Sequence, residues 1–354
     1  MSSMFCVSVI IPCLNEERFI GSCLDSIFLN HYPPDSMEIL IIDGMSQDST
    51  RRVIEQKCES AKRESEKVGT RLPIVRVINN PSRQRASALN IGIMEAGGDI
   101  IIRMDARSSI PNDYIEKCIN TLLETDADNV GGVLKPRVNK DGYREQINKQ
   151  EAIGIALSHP FGAGNAHFRI GNKSGYVDTV YLGCFKKNIF KKVGLFDEDS
   201  AVMSEDADMN QRIRAIGGKV YLNKNIEVYY YPRDNFKDLW KLYFRYGGAK
   251  AGFLIKRHKL TSLRQVVSPI FIASMFVLPI LGITNKIFLF LWFFVVGVYL
   301  TLNLLFSFSV AFRKRKFYLF QILLLAFPII HMGWGFGFWA RLFQSPNLKK
   351  HWEY

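Results

Sequence analysis

The last third of the sequence has almost no acidic residues. Residues 236–354 contain 2 Asp and Glu against 16 Lys and Arg, whereas residues 1–235 contain 31 against 30. The net charge of +13 therefore lies in the last third. Because this charge accompanies long apolar runs, it favours anionic lipid as a partner and argues against nucleic acid.

Paired cysteines are also missing. The six cysteines include no Cys-x-x-Cys pair, and their spacing matches no zinc site. We expect reduced, mostly buried thiols in a cytosolic domain. A signal peptide is not expected, because the apolar run at 7–11 is too short and no basic segment precedes it. The hydrophobic content of 48% excludes a disordered chain.

Short apolar runs alternate with helical patterns along the first 230 residues. Strands are predicted at 7–12, 38–42, 74–78, 100–104, 129–134, 179–183 and 219–222. Helices are predicted at 15–27, 49–61, 85–96, 111–124, 145–157, 187–193 and 205–216. This alternation predicts an α/β fold with a mostly parallel sheet, interrupted by an irregular excursion over 136–180.

Membrane segments are predicted after residue 235. Residues 236–259 form a basic amphipathic pattern, typical of a membrane-surface helix or of a helix facing a core. The uncharged stretches 265–285, 287–312 and 317–340 are each long enough to cross a bilayer. The basic cluster 313–316 indicates a cytoplasmic turn, which two crossings would satisfy. The third stretch contains Pro328 and is either a crossing or a broken, re-entrant segment.

Acidic and polar residues follow the predicted strands. Glu16 follows the first strand, Asp43 the second and Asp105 the fourth, while Glu205 and Asp206 open a later helix. Each alone is also explained as a helix cap or a turn residue. Because binding sites in α/β sheets lie at the carboxyl ends of the strands, their common placement predicts one shared site.

Taken together, these segments resemble family 2 glycosyltransferases of the GT-A fold, and more narrowly the ExoA-like group of succinoglycan biosynthesis. The first set of segments is 7–16 (VSVIIPCLNE), 41–50 (IIDGMSQDST), 104–106 (MDA) and 205–206 (ED). The second is 85–92 (RASALNIG), 160–165 (PFGAGN), 181–184 (YLGC) and 243–247 (YFRYG). The resemblance covers roughly residues 5–250.

The resemblance implies a site for a nucleotide-sugar donor. Its binding residues would be Pro12, Asn15, Glu16, Asp43, Ser46, Arg85, Asn90, Asp105 and Arg245. In the family, the acid matching Glu16 contacts the ribose or base, and the acid matching Asp43 binds the base imide, which suits uracil. Arg85 and Arg245 would meet phosphate charge.

The resemblance also implies the catalytic groups. Asp206, with Glu205 as second choice, would be the base that removes the acceptor's hydroxyl proton. Asp105 matches the first position of the metal-binding Asp-x-Asp and would hold Mg²⁺ or Mn²⁺. The third position is Arg107, which cannot ligate a cation, so Asp105 would alternatively hold sugar hydroxyls.

The implied function is a membrane-anchored inverting glycosyltransferase. It would transfer a hexose from a nucleotide sugar, expected to be a UDP-sugar, to a polyprenyl-diphosphate saccharide in exopolysaccharide or other cell-surface glycan assembly. The expected parts are a cytosolic GT-A domain (1–234), a membrane-surface helix (235–264), two to three crossings (265–340) and a basic tail (341–354). The expected location is the cell membrane, with the catalytic domain cytoplasmic.

Three other functions fit some of these features. A processive polysaccharide synthase would carry Gln-x-x-Arg-Trp, but Leu242 and Tyr246 stand in place of Gln and Trp. A non-catalytic nucleotide-sugar-binding membrane protein is favoured by Arg107 and opposed by the acidic pair at 205–206. A nucleotidyltransferase would need a glycine-rich, basic phosphate loop after the first strand, where residues 13–16 stand instead.

Overall fold

A computed structural model describes residues 5–138, 143–171, 173–198, 205–257 and 264–344. The chain divides into two compact units. Unit 1 comprises Met1–Lys135, Gly171–Glu198 and Glu205–Tyr230, and unit 2 comprises Pro136–Ile170, Asp199–Ser204 and Tyr231–Tyr354. The predicted tail beyond residue 344 lies outside the described residues.

The described residues contain nine strands and thirteen α-helices. The strands are β1 (Val7–Cys13), β2 (Met37–Asp43), β3 (Ile74–Asn79), β4 (Ile100–Arg103), β5 (Ser108–Ser109), β6 (Asn129–Pro136), β7 (Gly175–Tyr176), β8 (Tyr181–Lys186) and β9 (Val220–Tyr230). The helices are α1 (Ile20–Phe28), α2 (Thr50–Val68), α3 (Arg85–Glu95), α4 (Tyr114–Thr125), α5 (Arg144–Ser158), α6 (Pro160–Ala163), α7 (His167–Ile170), α8 (Ile189–Val193), α9 (Glu205–Ala215), α10 (Phe236–Arg257), α11 (Arg264–Gly282), α12 (Lys286–Lys314) and α13 (Tyr318–Leu342).

The sheet of unit 1 has the order β3-β2-β1-β4-β8-β6-β9-β5, and β7 pairs with β9. The β3-β2-β1-β4 part is parallel, as the alternation of strands and helices predicts. From β8 onward the pairing is antiparallel. The change of direction follows the excursion between β6 and β8, which contributes no parallel strand to this sheet. The result is a mixed sheet with its parallel half at the start of the chain.

The register of the parallel strands aligns their carboxyl ends. Cys13 of β1 lies opposite Asp43 of β2, and Asp43 lies opposite Asn79 of β3. The strands are held from one face by α3, where a Cβ on Gly92 would overlap the side chain of Ile10. Only glycine allows this close approach. The loops that follow β1, β2 and β4 therefore emerge at one edge of the sheet.

Unit 2 contains three long apolar helices. Helices α11, α12 and α13 are each long and apolar enough to cross a membrane, and they cover the three predicted stretches. Large apolar side chains line the outside of α12, including Phe290, Phe293 and Phe312, which are 60% or more exposed. Exposed aromatic side chains at this density are the surface expected of a helix in contact with lipid.

Helix α13 packs very closely on α10. A Cβ on Gly247 would overlap the carbonyl oxygen of Trp334, and a Cβ on Gly337 would overlap that of Phe244. Glycine at both positions lets the two backbones touch. The glycine-rich segment of α13 therefore forms a helix interface and does not break the helix.

Candidate active site

The loops after β1 and β2 are tied to each other. Asn15 has a left-handed backbone conformation (φ 54°), and its backbone nitrogen donates to Ser46 Oγ at 2.9 Å. Its side-chain oxygen accepts from the backbone of Gln47 at 2.9 Å. Asparagine tolerates this backbone conformation. The structure thus brings predicted donor-binding residues of two strands together, while Pro12 stays within β1, opposite Ile42.

Asp43 is fully buried, and both its carboxylate oxygens have partners. Ser46 Oγ donates to Oδ1 at 2.6 Å, and Arg51 Nε donates to Oδ2 at 2.6 Å. Its side chain has 0% exposure. In this arrangement the carboxylate orders the loop that follows β2, and a nucleotide base would reach the carboxylate only if one of its partners moved. Its role in base recognition stays a prediction.

Glu16 and Arg107 form an ion pair. The Nε of Arg107 lies 2.9 and 2.8 Å from the two carboxylate oxygens of Glu16. The guanidinium also lies over the ring of Phe19, 5.0 Å from its centroid. The arginine that replaces the second acid of the metal motif is therefore held by the acid predicted to contact the nucleotide. This pairing links the loops after β1 and β4.

Four charged residues meet at the carboxyl end of β4, and we call them the Arg103 cluster: Arg103, Asp105, Glu205 and Asp206. The guanidinium of Arg103 donates to Asp105 Oδ1 at 3.1 Å, to Glu205 Oε1 at 3.1 Å and to Asp206 Oδ1. The side chain of Arg103 is only 2% exposed. One buried cation thus joins the predicted metal ligand to both candidate bases.

Tyr181 and Arg85 border this cluster. Tyr181 donates its hydroxyl to Asp105 Oδ2 at 2.9 Å, and it lies 3.2 Å from Ser108 Oγ. Arg85 Nη1 lies 3.5 Å from Glu205 Oε1, at the limit of a hydrogen bond. Arg85 is 45% exposed, so its guanidinium is also accessible to an anionic ligand.

Burial and the charges of the cluster shift the pKa values of Asp206 and Asp105 in opposite directions. Burial raises the pKa of Asp206 to about 7, helped by the negative charges of Glu205 and Asp105 and opposed by Arg103. Burial also raises the pKa of Asp105, but Arg103, Arg85 and the Tyr181 hydroxyl outweigh it, so that pKa is lowered overall. Three carboxylates around one buried guanidinium cannot all ionise easily. A carboxylate with a pKa near neutrality suits a general base.

Asn90 and Arg245 are the two remaining predicted donor-binding residues. Asn90 is buried. Its side-chain nitrogen donates to the Phe196 carbonyl and to Glu198 Oε1, the latter at 2.7 Å, and its side-chain oxygen accepts from the Phe196 backbone amide. It therefore holds the segment that precedes residues 199–204, which lie outside the described part. Arg245 lies half-buried in α10, within unit 2.

The fit of a divalent metal rests on Asp105 alone. Among the described residues, no group of three or more His, Cys, Asp or Glu side chains is placed to hold a metal ion. Asp105 Oδ1 accepts from both Nη2 and Nε of Arg103, whereas Oδ2 accepts from the Tyr181 hydroxyl and keeps a second lone pair. Mg²⁺ is commonly held by one or two carboxylates together with substrate phosphates and water. The residues present fit a metal that the donor helps to bind.

Sequence reasoning missed Arg103 and the hydroxyl of Tyr181. Arg103 ends an apolar strand whose other residues are buried, and a charged residue in such a run requires a buried partner. The charged residue within an apolar run is thus the signal in the sequence that indicates a buried ion pair at Arg103. It does not identify the partners, because Glu205 and Asp206 lie about 100 residues further along the chain.

Comparisons with known proteins agree with this architecture. A family model described as glycosyl transferase family 2 matches residues 8–189, and one described as glycosyl transferase family group 2 matches residues 100–340. Succinoglycan biosynthesis protein ExoA of Rhizobium meliloti (strain 1021) is 28% identical over 338 residues, which are 94% of each chain.

A second relative comes from Methanococcus voltae. It is named dolichyl N-acetyl-alpha-D-glucosaminyl phosphate 3-beta-D-2,3-diacetamido-2,3-dideoxy-beta-D-glucuronosyltransferase. It is 29% identical over 256 residues, which are 71% of this chain and 74% of the relative.

A solved structure shares the fold. The mannosyltransferase PcManGT from Pyrobaculum calidifontis, in complex with GDP-Man and Mn²⁺, matches with a TM-score of 0.53 and 18% identity. The match covers 72% of this chain and 65% of that chain, just under two thirds. The mixed sheet is that of a GT-A glycosyltransferase.

The chain belongs to glycosyl transferase family 2, because the two family models together cover most of its length. The resemblance to the ExoA-like group is confirmed by the length of the match to ExoA.

Proposed function

We propose that this protein is a membrane-anchored, inverting hexosyltransferase that uses a nucleotide-sugar donor, with a UDP-sugar as the first candidate. The acceptor is a lipid-linked saccharide, and the product belongs to exopolysaccharide or another cell-surface glycan. The names of the Rhizobium and Methanococcus relatives support the pathway and the lipid-linked acceptor.

The observation that carries the proposal is the state of Asp206. One carboxylate oxygen is held by Arg103, and within the described residues Oδ2 accepts no hydrogen bond. Its side chain is 27% exposed, so an acceptor hydroxyl can approach this oxygen. The raised pKa lets the carboxylate take that proton as the hydroxyl oxygen attacks the anomeric carbon. Attack opposite the leaving diphosphate inverts the configuration.

A divalent metal, Mg²⁺ or Mn²⁺, belongs to the proposal. Asp105 would hold it, and when bound it would neutralise the negative charge of the leaving nucleoside diphosphate. Tyr181 and Arg103 orient the Asp105 carboxylate by bonding one oxygen each. Arg85 adds an exposed positive charge at the same edge for phosphate.

The experiment that tests this function is a donor panel. Detergent-purified protein is given UDP-, GDP- and dTDP-sugars with Mn²⁺, Mg²⁺ or EDTA, and release of nucleoside diphosphate is measured with and without polyprenyl-diphosphate saccharides. We expect release from one donor, stimulated by the acceptor and reduced by EDTA. Binding of a donor without turnover under every condition would contradict the proposal and favour a non-catalytic partner.

We further propose that the anchor crosses the membrane twice. No candidate span occurs among the described residues of 5–257, so α5 and α10 share one side of the bilayer. In unit 2, Lys316, in the turn between α12 and α13, and Tyr318, the first residue of α13, bond Glu151 of α5 at 2.7 and 2.6 Å. This contact supports a topology in which that turn lies on the same side of the bilayer as α5. Along the chain, α11 would cross the bilayer away from α10, and α12 would cross back to the side on which α5 and α10 lie.

Helix α13 does not fit a third crossing. From Tyr318 to Trp334 it rises about 24 Å, which would carry Trp334 most of the way through a bilayer if the helix stood upright. Yet the Trp334 indole donates to the carbonyl of Gln265, in the first turn of α11, at 2.9 Å. The Trp339 indole similarly donates to Pro269 at 2.8 Å. Both residues are thus near the side on which α11 starts, where tryptophan is favoured.

Cysteine accessibility tests the two-crossing topology. We expect Thr284→Cys, in the turn between α11 and α12, to react with a membrane-impermeant maleimide on intact cells. Gln344→Cys, after α13, should react only after permeabilisation. The unmodified protein is the control, since all six native cysteines precede residue 235. Labelling of both variants on intact cells would mean three crossings.

A further inference from the structure

We infer that Arg103 is a positioning residue for catalysis: it holds the Asp206 carboxylate in the orientation that presents one oxygen to the acceptor hydroxyl. The inference deepens the proposed function and rests on it. Arg103 lies in no segment assigned to substrate, and its guanidinium bonds only to carboxylates among the described residues.

The geometry of the guanidinium carries the inference. Its Nη1 bonds Asp206, its Nη2 is shared by Asp105 and Glu205, and its Nε also points at Asp105. A planar fork with fixed donor directions sets both the distance and the rotation of the carboxylates that it bonds. Lysine, with one nitrogen on a flexible stem, cannot bridge three carboxylates in this way.

The position of Arg103 in the chain adds rigidity. It is the last residue of β4, a strand that pairs with β1 on one side and β8 on the other. Asp206, in contrast, lies in the first turn of α9, directly after residues outside the described part. The arginine therefore ties the first turn of α9 to the centre of the sheet. Its 2% exposure means that substrate meets the acids, and not the arginine.

This arrangement predicts a specific kinetic signature. Arg103→Ala should lower kcat by about 100-fold, the size of effect expected when a reacting group is misplaced by about 1 Å. The donor KM should change less than kcat, because Arg103 does not reach the donor and the Tyr181 hydroxyl still holds the Asp105 carboxylate. Free guanidinium at millimolar concentration should restore part of the rate, whereas equal concentrations of potassium or methylammonium should not.

A double-mutant comparison identifies the residue through which Arg103 acts. If it acts through Asp206, adding Arg103→Ala to Asp206→Asn should lower the residual rate no further. The matched control is Arg76→Ala, which removes another arginine that bridges two acids, Glu38 and Glu95, at 3.4 and 3.1 Å. That variant should keep the wild-type kcat.

Loss of Arg103 leaves three partly buried acids without their cation, so folding must be checked by thermal unfolding of each variant. If Arg103→Ala does not fold, Arg103→Lys, which keeps the charge, is measured in its place and should still lose kcat. Wild-type kcat in a folded variant, or a rise in donor KM that accounts for the whole loss, would overturn the inference. A wild-type protein without any turnover would instead reject the proposed function.

Discussion

Asp206→Asn should reduce sugar transfer by about 10²- to 10⁴-fold, the contribution typical of a general base. The amide keeps the shape of the side chain but cannot accept the proton of the acceptor hydroxyl. Donor binding should remain. The measurement is nucleoside diphosphate release in the presence of acceptor, together with donor affinity by calorimetry.

Glu205→Gln is the control for this prediction. Both acids bond Arg103 from the first turn of α9, and burial raises the pKa of Asp206 to about 7. A larger loss in Glu205→Gln than in Asp206→Asn would assign the base to Glu205.

Because the base must be ionised, the wild-type rate should also fall as pH drops through about 7. Wild-type rates that stay level from pH 8 to pH 6 would contradict the assignment of Asp206 as the base.

Asp105→Asn should reduce turnover by about 100- to 1,000-fold, because it removes the carboxylate proposed to hold a metal beside the donor. The stimulation by Mn²⁺ or Mg²⁺ should disappear with the activity. Titration of the metal into wild type and variant, read as donor hydrolysis and as metal-dependent donor binding, checks both effects.

Asp25→Asn serves as a matched substitution outside the site. Asp25 lies on α1 and pairs with Lys57 at 2.5 Å on the surface, so its loss should leave turnover unchanged. If Asp105→Asn keeps the wild-type metal response, the metal is held elsewhere. The alternative role of Asp105, holding sugar hydroxyls, would then be favoured.

The parallel half of the sheet was predictable from sequence for a simple physical reason. Strands β1, β2 and β4 are buried on both faces, so each is a short apolar run of β-branched residues. Strand β9 was predicted at less than half its length, because Asn223, Lys224 and Asn225 interrupt its apolar pattern. These polar residues lie on a half-exposed strand, where local pattern is a weak guide.

The candidate site was predictable in its members but not in its pairings. Glu16 is predicted to contact the nucleotide and Arg107 only interrupts the metal motif, yet they bind each other, and Arg103 has no predicted role at all. Such ion pairs join residues about 90 to 100 positions apart. Only the folded chain brings them together, and no local periodicity encodes them.

The rival functions gain no support from these pairings. Arg107 was the feature that favoured a non-catalytic protein, but its pairing with Glu16 gives it a role within the site loops. Nothing in the described residues adds a Gln-x-x-Arg-Trp motif for a processive synthase. Among the functions considered, a transferase is therefore the one that these side-chain contacts support best.

The backbone contact between α10 and α13 has a consequence for how this protein can be engineered or can diverge. Because Gly247 and Gly337 each leave room for a carbonyl oxygen of the opposite helix, the surface of α10 fits only a helix of complementary shape. Exchanging residues 264–344 for an unrelated pair of membrane helices would leave that surface without its partner. Residues 264–344 are thus not an interchangeable module, and α10 and α13 have to change together.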